Sequence, residues 1–218
     1  MLIRLSFILL IFTPVLALGA TRSTSHFRVT SPSTDAKEAD QLLDLLETQR
    51  SLLIRRLSSA EIDFHFPHVE VFINTSTGDF VARTGMPAWA AAATRNNRIE
   101  LQPLSLLKRR GIVETTLQHE LVHVVIDTLG GGKTPRWLAE GIALYIAGEG
   151  KLIQQTAKGA VTSPADLERK LATAKTSTEM KAAYAAAYEA VRDLLRVEGE
   201  NKLWKRVAQR SYDGLVKL

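Results

Sequence analysis

The segment QHELVH, residues 118–123, sets His119, Glu120 and His123 within five residues of one another. On an α-helix, side chains four apart lie ~40° apart around the axis and one turn along it, so both rings can reach a single ion. Glu120 follows His119, about 100° further round. It can reach a water on that ion without being a ligand itself. Two neutral imidazoles, with a carboxylate to take the water's proton, are the parts of a water-activating zinc hydrolase. The competing reading is two histidines packed on an apolar helix face among Leu121, Val122 and Val124. That packing would leave buried polar groups without partners, at ~1–3 kcal/mol each. A metal ion is such a partner. With five histidines in 218 residues, the pairing is also uncommon by chance.

Catalytic zinc takes three protein ligands and keeps a fourth position open. The chain has no cysteine, so thiolate ligation, disulfides and cysteine redox chemistry are all excluded. Asp127 is close in sequence but lies ~12 Å from His119 along the axis at 1.5 Å per residue, too far to share an ion. The metzincin spacing would need a Gly and a His where Ile126 and Leu129 stand. Glu140, in PRWLAEGIALY, follows His123 by 17 residues across the run Gly130-Gly131-Gly132. A short connection of that kind makes consecutive helices neighbours. Its surroundings Trp137, Leu138, Ile142 and Leu144 are apolar, and Gly141 weakens the helix. A carboxylate in that setting needs a partner, and the two imidazoles supply one.

HELVH followed by PRWLAEGIALY resembles the gluzincins, the thermolysin-like zinc peptidases, and more narrowly the peptidase MA-like family of exported bacterial proteins. The likeness extends to NNRIEL ahead of the metal helix and to AYAAAYEAVRDLL with GENKLW behind it. It implies that His119, His123 and Glu140 hold one zinc ion per chain, that Glu120 is the general base, and that a peptide or protein is the substrate. It implies that the strand before the metal helix is an edge strand pairing with extended substrate, a place that Arg98, Ile99, Glu100 and Leu101 fit. It also implies a His or Tyr after the third ligand that stabilises the developing oxyanion. No histidine follows Glu140. Tyr184 and Tyr188 lie one turn apart on a helix whose apolar stripe runs through Met180, Ala187, Val191 and Leu195, so both are expected to face inward. Tyr184 matches the first Tyr of the family's helix pattern; core packing is the alternative use of either. The chain is smaller than thermolysin. It lacks the Asn-x-Glu and Gly-x-Met-Glu-Asn motifs of larger aminopeptidases, so exopeptidase activity is not implied.

The elements that must position these residues follow from periodicity. HFRVTS, 26–31, alternates as a strand, and HVEVFIN, 68–74, as another with Val69, Val71 and Ile73 on one side. Asp35 with Glu38 forms a capping box for a helix whose face is Ala39, Leu42, Leu43, Leu46, Leu53 and Leu57. RNNRIEL, 95–101, is a turn and a strand. The metal helix spans 112–129 and stops at the triple glycine. Thr134 caps the next helix, with Pro135 at its first position. Helices from Pro164, over 177–199 and over 201–210 complete the chain. The expected fold class is α+β, with a small mixed sheet ahead of a helical half; the resemblance implies that this is a zincin-like domain.

Residues 1–20 have the layout of a secretory signal peptide: Arg4, an apolar run broken by Pro14, then small residues to Ala20. The alternative is an uncleaved N-terminal membrane anchor, but the run is short for a span of ~20 apolar residues. The expected localisation is therefore periplasmic or extracellular, with 21–218 as one mature domain and no stable membrane span. Net charge is +5, with the cations scattered and no aromatic-interleaved basic stripe, which argues against nucleic acid as a partner. Asn74-Thr75-Ser76 matches a glycosylation acceptor, a triplet that is common by chance. Two rival functions remain: a non-catalytic zinc protein using the same fold as an interaction module, and a hydrolase of other amides or esters.

Overall fold

The computed structural model describes residues 19–32, 36–150, 163–212 and 215. Residues 1–18 of the expected signal peptide, and Asp35 of the expected capping box, lie outside them. Among the described residues no helix is long and apolar enough to cross a membrane.

The fold is mixed α+β. Five strands form one sheet in the order β1-β2-β3-β5-β4. These are β1 (Thr21–Ser23), β2 (Phe27–Thr30), β3 (Val69–Ile73), β4 (Ala92–Arg95) and β5 (Arg98–Leu101). β2, β3 and β5 run parallel, while β1 and β4 flank them antiparallel. The parallel strands carry the alternation expected of a buried face: Phe27, Val29, Val69, Val71, Ile99 and Leu101 are fully buried. α1 (Ala36–Ser59) is the crossover from β2 to β3 and buries the predicted stripe Ala39, Leu42, Leu43, Leu46, Leu53 and Leu57. β4 and β5 form a hairpin around Asn96 and Asn97, with Asn96 in the left-handed region at φ 54°. Asparagine tolerates that region better than most residues.

Two short helices, α2 (Thr77–Thr84) and α3 (Leu104–Arg110), lead to the helical half. α4 (Val113–Gly130) carries HELVH, and its C-cap Gly131 has φ 60°. α5 (Arg136–Ile146) carries Glu140 and is buried almost all round. α6 (Pro164–Thr173), α7 (Ser177–Glu198) and α8 (Glu200–Gln209) close the domain. α7 begins in a complete capping box between Thr176 and Glu179.

Two expectations and one motif match are corrected here. Thr134 does not cap α5. Its hydroxyl bonds the Tyr212 hydroxyl at 2.9 Å, and the Glu168 carboxylate accepts from the Trp137 amide at 2.9 Å instead. A carboxylate at a helix N-terminus satisfies a free donor and complements the helix dipole better than a hydroxyl does. Asn74 is not presented for glycosylation. It is buried, and its side-chain amide donates to Glu100 and to the Leu101 carbonyl at 2.9 and 3.0 Å. The largest correction concerns the substrate strand. β5 is bonded to β3 on one side and to β4 on the other, so Arg98, Ile99, Glu100 and Leu101 have no open edge for strand addition. Ile99 and Leu101 are core; Glu100 is held by Asn74 and Arg98. The edge strand on this side of the sheet is β4.

Candidate metal centre

α4 and α5 pack against each other, bringing Glu140 over the turn that carries the two histidines. The Nε2 atoms of His119 and His123 are 3.1 Å apart. Glu140 Oε2 lies 3.5 Å from the first and 3.4 Å from the second. Tetrahedral ligands at ~2.0–2.1 Å from a zinc ion would be separated by about 3.3–3.4 Å. The triangle in the structure has almost that edge. Glu140 Oε2 is also buried with no hydrogen-bond partner, a loss of ~1–3 kcal/mol if nothing else meets it. Two imidazole nitrogens and one carboxylate oxygen are a donor set that suits zinc. These residues therefore fit the ion. Asp127 is outside the cluster, as its axial distance requires.

Electrostatics agree with a cation site. Burial works to raise the pKa of Glu140, but the charge of His123 and close contact with both rings hold the carboxyl well below its usual range. Burial works to neutralise His119, but Glu140 and Glu149 hold the imidazole well above its usual value. Protons balance the buried carboxylates here. A divalent cation takes over that balance and requires both rings neutral.

Sequence reasoning missed two supporting residues. Glu149 Oε2 bonds His119 Nδ1 at 2.8 Å. A carboxylate there fixes the proton on Nδ1 and leaves the Nε2 lone pair for the ion. Thr94, on β4, donates its hydroxyl to Glu120 Oε2 at 2.6 Å. This bond ties the nearly buried Glu120 to the edge strand.

Two cavities flank the cluster and share His119, Glu120, Tyr184, Met86 and Ala92. The larger, ≈ 460 Å³, is walled mainly by apolar side chains. The smaller, ≈ 320 Å³, is polar, with Thr94, Asp127, Thr134 and Arg136. Tyr184 stands where they meet. Burial pushes its phenol pKa well above the usual value and the Glu140 charge adds to this, so the hydroxyl stays a neutral donor. Tyr188 is placed differently: it packs on Gly150, where a Cβ would lie 1.9 Å from its ring.

Gly141 sets the distance between α5 and α7. A Cβ there would lie 2.5 Å from the Ala187 carbonyl oxygen and 2.5 Å from Val191 Cγ2. Gly141→Ala gains up to ~1 kcal/mol of helix propensity but forces α7 outward, and overpacking typically costs ~1–3 kcal/mol. We expect a lower midpoint in urea with an unchanged slope. A midpoint at or above wild type would show that the helices separate without strain.

No protein-family model and no curated protein matches this chain. The class defined by fold and site is thus a mixed α+β protein with a buried His-His-Glu cluster able to hold a metal ion.

Proposed function

We propose that the protein is a zinc-dependent metallopeptidase of gluzincin type on a zincin-like fold, hydrolysing internal peptide bonds of extended chains. The observation that carries this reading is the convergence of His119 Nε2, His123 Nε2 and the orphaned Glu140 Oε2, with Glu120 alongside in the same cleft. When bound, zinc supplies Lewis acidity, making water more acidic and a carbonyl more electrophilic. Glu120 takes the proton of the attacking water and passes it to the leaving amine. Thr94 orients Glu120 for both transfers. Tyr184 donates to the carbonyl oxygen as negative charge develops there. The outer edge of β4, in place of β5, offers backbone groups to an extended substrate. The cleft on either side of the cluster gives room for chain in both directions, which favours an endopeptidase.

The test is cleavage of a reduced and alkylated protein by zinc-loaded enzyme. Cleavage lost on chelation and restored by zinc supports the reading. Zinc binding without hydrolysis of any peptide, amide or ester makes the protein a non-catalytic module. Hydrolysis confined to small esters or non-peptide amides changes the substrate class. Within this mechanism, Tyr184→Phe keeps the packing and removes one hydroxyl. Turnover is expected to fall ten-fold or more, about 1.4 kcal/mol of barrier, with zinc content unchanged. Unaltered turnover would leave Tyr184 as a packing residue.

A further inference from the structure

The larger cavity has a charge pattern that the proposed chemistry does not use. Its apolar wall is formed by Met86, Trp89, Leu144 and Met180, and Trp89 is exposed enough to meet a ligand. Four charged side chains line the same space: Glu120, Glu149, Arg110 and Lys181. Both acids are engaged, Glu120 with Thr94 and Glu149 with His119. Neither cation is. Arg110, at the end of α3, and Lys181, in the second turn of α7, are exposed and pair with no acid among the described residues. Two other cations of the neighbouring elements are placed otherwise: Lys108 binds Glu38 at 2.8 Å, and Arg136 lines the opposite cavity.

We infer that this half of the cleft selects a peptide segment with a bulky apolar residue beside the metal centre and an Asp or Glu side chain further out, between Arg110 and Lys181. The inference rests on the peptidase reading of the same cleft and names its substrate class. Two cations beside one carboxylate favour it and repel a lysine in the same place, and complementary charge of this kind sets specificity and encounter rate. A side chain, rather than the chain's own terminal carboxylate, is the source proposed because the cavity is not enclosed and both cations are exposed, so chain can extend beyond them.

The experiment measures binding to zinc-loaded Glu120→Gln protein, so that it does not depend on turnover. The probes are labelled peptides with blocked ends, alanine around a central Phe-Leu pair, carrying Glu, Gln or Lys on one side or the other. A fourth has a free carboxyl terminus and no acidic side chain. We expect the Glu peptide to bind about ten-fold more tightly than the Lys peptide, the gap to narrow with added salt, and Arg110→Glu with Lys181→Glu to reverse the order. If that pair unfolds the protein, Arg110→Gln with Lys181→Gln must abolish the preference. Equal affinities, or an order that survives both variants, would overturn the inference. So would a preference shown only by the free-carboxyl peptide, which points to the chain terminus. Cleavage of the same peptides by the unmutated protein is scored separately: a Glu preference without cleavage sinks the peptidase reading alone, and cleavage without preference sinks this one alone.

Discussion

Glu120→Gln is expected to keep the zinc and the fold and to lose peptide hydrolysis by ~10²–10⁴-fold, the usual range for removing a general base. The side chains are nearly the same size, so packing in the cleft is preserved. The amide still accepts from the Thr94 hydroxyl, which donates to Glu120 at 2.6 Å. It cannot take a proton from water. The comparison is of kcat and zinc content in one preparation. Turnover near the wild-type rate with full zinc would remove Glu120 from the mechanism and leave no base in the cluster.

Glu140→Ala is expected to act on the metal and not only on turnover. Losing a residue that merely supports a ligand typically lowers metal affinity ~10–100-fold, and losing a ligand should exceed that, so we expect on the order of 100-fold or more. Competition with a fluorescent chelator measures it. The same substitution removes the carboxylate that lies 3.5 Å from the His119 ring and helps to raise its pKa, so the metal-free variant should hold the His119 proton less tightly. Zinc affinity equal to wild type would exclude Glu140 as the third ligand.

The cluster is legible in the sequence wherever it depends on local spacing. His119 and His123 share a helix face by their separation alone, and Glu120 follows. Glu140 could be found because an acid amid Trp137, Leu138 and Ile142 contradicts its surroundings. What sequence reasoning missed depends on pairing between distant segments. β4 is Ala-Ala-Thr-Arg, with little of the β-branched or aromatic content that marks strands, so Thr94 gave no signal. With β4 giving no signal, the resemblance assigns the edge to β5, whereas a neighbour on each side makes it interior. Glu149 stands beyond the end of α5 between Gly148 and Gly150, outside any helical repeat, so spacing could not connect it to His119. Thr134 reads as a cap because serine and threonine before proline usually are; the competing acceptor, Glu168, comes from a helix further along the chain. The apolar stripe of α1 needed none of this, being a property of one element.

Everything proposed depends on one ion held by three named atoms. Crystals of the zinc-loaded protein, with anomalous data collected on both sides of the zinc absorption edge, test that most directly. The account predicts a single strong peak per chain, within ~2.0–2.2 Å of His119 Nε2, His123 Nε2 and a Glu140 carboxylate oxygen, with a fourth position facing Glu120. A peak coordinated by other residues, or none at this cluster in protein shown to be zinc-loaded, would contradict it.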